Sequence, residues 1–174
     1  MLMKNESSHT AMTMTGIETP ATRRTARLQL SVQYAVAPRN APSRAQFRRW
    51  VRAALARDAR ITMRLVGQAE ARALNRHFRG KDYATNVLTF VMRDRVPYEG
   101  DIALCAPIVA REARAQGKSV TAHYAHLTVH GVLHLQGYDH ERRADAAAME
   151  RRESRIVKGF GYPDPYETPA EPSS

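Results

Sequence analysis

The chain has 174 residues, enough to bury one hydrophobic core, and its single cysteine excludes an internal disulfide. It has no apolar run long enough for a membrane helix, and its first 25 residues lack the apolar centre of a secretory signal. Lysine and arginine outnumber acidic residues by 27 to 17, a formal charge of +10 that favours a polyanionic partner. Arginines dispersed over solvated helix faces would give the same charge.

The apolar pattern predicts four strands and five helices in the order βαβαββααα. Strands are predicted near residues 28–36, 61–65, 86–92 and 101–106. Helices are predicted after a cap at Ser43, over residues 69–78, from Pro107 to Gln116, and over residues 121–136 and 141–160. This order indicates an α+β domain with helices packed on a mixed sheet. We expect a soluble, cytoplasmic domain over residues 26–166, between disordered tails at 1–25 and 167–174.

The segment HGVLHLQGYDH, residues 130–140, has the spacing of a metal site. His130 and His134 are four residues apart, so on a helix their rings lie on one face within reach of a common ion. Gly137 can end that helix in the left-handed conformation and direct His140 back as a third ligand. Three protein ligands with an open fourth position are typical of catalytic zinc, whereas structural zinc usually has four ligands, rich in cysteine.

Three neighbouring residues are expected to lie outside the ligand set. His126 lies one turn before His130, and it would contact a ligand or the substrate, or else be a buried core histidine. Asp139 would orient a ligand imidazole or the attacking water, or else serve as a turn residue. His123 is expected to be structural.

Zinc peptidases of the H-E-x-x-H type carry a glutamate general base where this chain has Gly131. Zinc alone can lower the pKa of water to about 7, but amide hydrolysis also needs a proton shuttle to a poor leaving group. A phosphodiester substrate fits better, since it requires cations that hold the phosphate. Arg79 and Lys81, on either side of Gly80, are the candidates. A solvated basic turn would have the same sequence.

Five segments together resemble the YbeY family of bacterial endoribonucleases: HGVLHLQGYDH, the preceding AHYAHLTV, RGKDYATNVLTF, GDIALC and GFGYPDPY. The resemblance spans about residues 28–166. It implies a mixed four-stranded α+β fold with a zincin-like helix and one zinc ion held by His130, His134 and His140. It also implies a single-strand-specific endoribonuclease that acts in maturation of the 3′ end of 16S ribosomal RNA and in ribosome quality control. Arg79 matches the arginine considered essential in the family.

The partners that this resemblance implies are the small ribosomal subunit, one of its proteins and an Era-type GTPase. The chain departs from the family pattern at Val91, where a proline would end the third strand, so the resemblance does not fix that end. The sequence leaves two rival hypotheses. One is a non-catalytic ribosome-assembly factor with structural zinc. The other is a metallopeptidase that takes its base from Asp139 or Glu141.

The general base and the metal itself also stay open at this stage. Asp139, His126 or the zinc-activated hydroxide could accept the proton. Three imidazole ligands would also accept nickel or copper, because nitrogen ligands follow the general affinity order of the divalent metals.

Overall fold

The structure is a computed structural model that describes residues 24–139 and 141–168. The helices and strands of this part are β1 (Leu28–Tyr34), α1 (Arg44–Ala54), β2 (Ala59–Val66), α2 (Gln68–Arg79), β3 (Val87–Arg93), β4 (Tyr98–Cys105), α3 (Ala106–Ala115), α4 (Val120–Leu135) and α5 (Arg143–Gly159). The predicted order of elements is confirmed. The predicted tails lie mostly outside the described residues and stay predictions.

The four strands form one sheet in the order β1-β2-β4-β3. β1 pairs parallel with β2, β2 pairs parallel with β4, and β3 pairs antiparallel with β4 as an edge strand. The sheet is therefore mixed, and the α+β class predicted from the sequence is confirmed.

The strand limits differ from the sequence prediction by at most three residues, most of all at the start of β4. β4 begins at Tyr98 rather than at Asp101, because Tyr98 already pairs with Ala59 of β2. β3 continues through Val91, which pairs with Gly100, and ends at Arg93 after a register shift. The residue that replaces the family's proline thus extends the edge strand.

The two faces of the sheet are covered unequally. Helix α4 packs on one face, where it contacts β3 and β4 as well as α1, α3 and α5. Eleven of its 16 residues are buried. On the other face α2 forms a small buried cluster with the sheet and α3, made of Val66, Ala71, Cys105 and Ile108. The histidine helix is therefore the central element of the core, and its side-chain directions are fixed by packing on several sides.

Glycines and one glutamine fix the ends of the two functional helices. Gly80 after α2 has φ of 68°, and Gly137 after α4 has φ of 92°, so both are left-handed, as predicted for Gly137. Gln136 holds the end of α4 against α1, since its side chain accepts from the N–H of Ala56 and donates to the carbonyl of Ala54, both at 2.8 Å. In the described part of the chain no helix is both long and apolar enough to cross a membrane.

Candidate metal centre and adjoining groove

Four histidines form a row along one side of α4. The ring centroids are 6.2 Å apart for His123 and His126, 6.4 Å for His126 and His130, and 6.3 Å for His130 and His134. Side-chain exposure rises from 3% at His123 to 15% at His126 and 26% at His130. The row thus opens toward solvent at the end where the sequence places the metal ligands.

A buried carboxylate from α5 holds the middle of this row. Glu153 has no exposed surface, its Oε1 lies 2.6 Å from Nδ1 of His130, and its Oε2 lies 2.9 Å from Nε2 of His126. The hydroxyl of Tyr166 also contacts Oε2. Burial by itself raises the pKa of Glu153, but the hydrogen bonds from the two histidines, with those from Tyr166 and the charge of His130, outweigh it and lower the pKa to about 2. Glu153 is therefore ionised at neutral pH.

The ionised carboxylate determines which imidazole nitrogens carry protons. A carboxylate only accepts hydrogen bonds, so Nδ1 of His130 and Nε2 of His126 must both donate. In neutral His130 the lone pair is then on Nε2, the arrangement of metal-binding histidines that donate their other N–H to a carboxylate. His126 uses Nε2 for Glu153, and its buried Nδ1 has no hydrogen-bond partner among the described residues. His126 thus shares the carboxylate that orients His130.

The donor set fits a metal ion as far as the described residues extend. His130 and His134 are one turn apart with the carboxylate behind the first of them. Within residues 24–139 and 141–168, no group of three His, Cys, Asp or Glu side chains is arranged to hold a metal. The predicted third ligand, His140, lies outside those residues. Two of the three predicted imidazoles are therefore brought together.

The packing of Gly131 explains the missing glutamate. A Cβ atom at this position would lie 3.0 and 3.1 Å from the side-chain methyl groups of Ile102 and 3.2 Å from Oγ1 of Thr89. Ile102 is fully buried in β4, so it has little space into which it can move. A side chain at the position of the peptidase glutamate would therefore have to push these packed neighbours aside.

Arg79 lies in a groove of about 700 Å³ between α2 and the sheet. Its lining residues are Gln33, Thr62, Arg64, Glu70, Leu74, Phe78, Arg79, Thr89, Phe90, Val91, Met92, Asp101, Ile102 and Ala103. Thr89 and Ile102 also meet Gly131 with their side chains, so β3 and β4 both line the groove and support the histidine helix. Lys81, the other predicted cation, is exposed on the turn after α2.

The groove combines an aromatic surface with a cation. Phe78 is 60% exposed, and its ring lies 4.7 Å from that of Phe90 between centroids. Arg64 is paired with Glu70 at 2.7 Å. Arg79 has no ion pair with a described carboxylate, which leaves its guanidinium available for an anionic ligand.

The remaining predicted residues have structural contacts. Oδ1 of Asp139 accepts from the N–H of Glu141 at 2.9 Å, the hydrogen bond of an Asp turn residue. His123 is buried, and its Nε2 lies 2.8 Å from Oε2 of Glu112. Burial lowers the pKa of His123, against the opposing effect of Glu112. The expectation that His123 is structural agrees with these contacts.

Sequence reasoning missed Glu153 and Tyr166. Glu153 lies in the charged stretch RRESR, where an acidic residue is expected to be solvent-exposed. A signal is nevertheless present, since Met149, Glu153 and Val157 follow one another at intervals of four residues and all are buried. A carboxylate on the apolar side of a helix needs a buried hydrogen-bond partner, and the histidines of α4 are candidates for that partner.

The comparisons with known proteins point to one family. A family model described as Endoribonuclease YbeY matches residues 36–161. The protein named Endoribonuclease YbeY from Nitrosomonas europaea is 57% identical over 139 residues, which cover 80% of this chain and 85% of that protein. The one of that name from Thiobacillus denitrificans is 58% identical over 141 residues, 80% of this chain and 96% of its own. The solution structure of TM1509 from Thermotoga maritima matches at a TM-score of 0.53 and 24% identity, over 83% of this chain and 100% of that one, and this likeness supports the fold.

Proposed function

Since the chain belongs to the endoribonuclease YbeY family, hydrolases of phosphodiester bonds, we propose that it is a zinc-dependent endoribonuclease that cuts single-stranded RNA. The observation that carries the zinc part of this proposal is the contact between buried Glu153 and His130, one turn from His134. A carboxylate behind a histidine fixes the ring orientation and raises the basicity of the nitrogen that faces the metal.

The proposed metal ligands are His130, His134 and His140. When bound, the zinc ion would act as a Lewis acid and activate the water that attacks the phosphodiester. Glu153 would hold His130 in the ligand tautomer, and His126 would support the carboxylate from its other side. Gly131 leaves no side chain where a peptidase has its proton shuttle, and this favours a phosphodiester over an amide substrate.

The groove beside α2 would bind the RNA strand. An exposed ring such as Phe78 gives an unpaired base a surface on which to stack, and a base inside a duplex would be unavailable for this contact. Arg79 would hold the scissile phosphate and stabilise the charge that develops on its oxygens. Lys81, one residue beyond Gly80, would add to the attraction for the phosphate backbone from the exposed turn.

The finer biological role is proposed from the family resemblance. The substrate would be ribosomal RNA near the 3′ end of 16S RNA, and the reaction would take place in the cytoplasm. The partners would be the small ribosomal subunit and an Era-type GTPase. The formal charge of +10 supports binding to such polyanionic surroundings.

Cleavage of a labelled single-stranded RNA that spans this 3′ end tests the proposal. Wild type, His134→Ala and His77→Ala would be compared after removal of contaminating nucleases, with zinc content measured by elemental analysis. His77 is an exposed histidine of α2 and serves as the matched control. We expect His134→Ala to lose both zinc and cleavage, while His77→Ala, the control for zinc content, retains its metal. Equal cleavage by all three proteins would mean contamination and would favour the non-catalytic assembly factor.

A further inference from the structure

The segment after α5 is held against the helices by two hydrogen bonds, and a third lies within the segment. Oδ1 of Asp164 accepts from Oγ of Ser154 at 2.8 Å and from the N–H of Tyr166 at 3.0 Å. Nζ of Lys118 donates to the carbonyl of Pro165 at 2.8 Å. The contacts hold the peptide that leads into Tyr166, so the position of this side chain is determined by α5 and by Lys118, two residues before α4.

Tyr166 uses this position to reach the buried carboxylate. Its hydroxyl donates to Oε2 of Glu153, and its ring lies 5.4 Å from that of His126 at an interplanar angle of 81°. Burial and the neighbouring carboxylate raise the pKa of Tyr166, so its hydroxyl keeps the proton that it donates. The residue is 45% exposed as a whole, yet Glu153 beneath it has no exposed surface.

The three donors divide the two oxygens of Glu153 unequally. Tyr166 and His126 both bind Oε2, which leaves Oε1 directed at Nδ1 of His130. If the hydroxyl were absent, His126 would be the one donor to Oε2 among the residues that the structure describes. The carboxylate would then have more freedom to turn its oxygens away from the ligand histidine.

We propose that Tyr166 is a positioning residue of the metal centre, which orients His130 through Glu153 and so makes the C-terminal segment part of the zinc site. The inference rests on the proposed function, since it requires that His130 binds the metal. It also assigns a role to the segment GFGYPDPY, which carries part of the family resemblance and has no place in the cleavage chemistry above.

The test is the zinc affinity of the full chain, measured by competition with a chromophoric chelator. Metal-free wild type, Tyr166→Phe, Glu153→Gln and the double variant would be compared, with Tyr162→Phe as the matched control. Tyr162 lies in the same segment and packs against the main core. The urea midpoint of each metal-free protein would be measured in parallel, because a merely structural role of the tyrosine would change that midpoint rather than the affinity.

We expect Tyr166→Phe to weaken zinc binding about tenfold and Glu153→Gln by about 10- to 100-fold, the range for groups that orient metal ligands. Because Tyr166 acts through Glu153, the double variant should bind no more weakly than Glu153→Gln alone. Tyr162→Phe should match wild type. Tyr166→Phe removes only a hydroxyl from a half-exposed ring, so its result stands even if Glu153→Gln does not fold.

Two results would overturn the inference and are distinguishable. Wild-type affinity in Tyr166→Phe, with or without a lower urea midpoint, would remove the positioning role and leave the zinc enzyme intact. Failure of wild type itself to bind zinc would reject the proposed metal centre, and the inference with it.

Discussion

At the scale of single residues, the packing around Gly131 accounts for the absence of the peptidase glutamate. The position that holds the general base of zinc peptidases faces Ile102 and Thr89 so closely that a side chain there would have to displace them. Close contact between α4 and the sheet also occurs at Gly100, where a Cβ atom would lie 2.5 Å from Leu135 and from the carbonyl oxygen of Phe90. Helix α4 and the sheet thus approach each other closely at Gly131 and Gly100, and this close approach disfavours a glutamate at position 131.

Gly131→Glu is accordingly predicted to destabilise the protein severely. The variant would force a larger side chain into a packed contact and place a carboxylate against apolar groups, so we expect a loss of at least about 3 kcal/mol in the free energy of unfolding. Urea denaturation measures it. Gly159→Glu is the control, since a Cβ atom at Gly159 in α5 has no neighbour within 4 Å, and it should lose less than about 1 kcal/mol. A Gly131→Glu protein with wild-type stability would contradict the packing argument.

Arg79→Ala should separate chemistry from folding. The side chain lies in the open groove and is exposed, so its removal should leave the fold and zinc content unchanged. Loss of a cation that stabilises the charge on the phosphate oxygens should lower kcat by about 10²- to 10³-fold. Single-turnover cleavage of labelled RNA measures the rate. Arg76→Ala, on the same helix and also exposed, is the control and should cleave at nearly the wild-type rate. Full activity of Arg79→Ala would remove its proposed role.

At the scale of the elements, α2 contributes an aromatic edge to the groove. Phe78 is more than half exposed and contacts Phe90 on the edge strand. A helix that served only to cover the core would not need a large apolar ring at an exposed position. We predict that Phe78→Ala weakens binding of single-stranded RNA by about 5- to 100-fold, the effect of one lost stacking contact. Fluorescence anisotropy with an oligonucleotide measures it.

The control for this prediction is Tyr83→Ala, an exposed ring on the loop after α2 that is 54% accessible. Its RNA affinity should stay within about threefold of wild type, since a ring outside the groove has no base to stack on. If both variants bind RNA equally well, the groove does not hold bases by stacking.

Features that depend on residues close together in the chain are predicted correctly from the sequence, and features that depend on distant residues are not. The Ser43 cap and the glycine end of α4 are local, and both are confirmed. The start of β4 was wrong because it depends on pairing between Tyr98 and Ala59, residues far apart in the chain. Long-range pairing overrides the turn that Tyr98, Glu99 and Gly100 suggest on their own.

At the scale of the whole molecule, the difference between local and long-range contacts separates the predicted residues of the site from those that were missed. His130 and His134 lie on one helix, and their spacing alone brings them together. Glu153 contacts His130 across 23 residues of sequence, and Tyr166 contacts His126 across 40. Only the packing of α5 and of the segment after it places them there. Local periodicity cannot specify such contacts.

Removal of the metal should leave the whole fold intact. The main core joins α1, α4, α5 and the sheet through apolar contacts that need no ion. Chelated protein is therefore expected to keep its helical circular dichroism and a cooperative thermal transition. Zinc at about 1,000 times its dissociation constant should add about 4 kcal/mol to the free energy of unfolding and raise Tm by roughly 8 to 16 °C. His134→Ala should lose this increase. If chelation unfolded the wild type, the metal would be structural, as the assembly-factor hypothesis requires, and an undiminished increase in His134→Ala would contradict its role as a ligand.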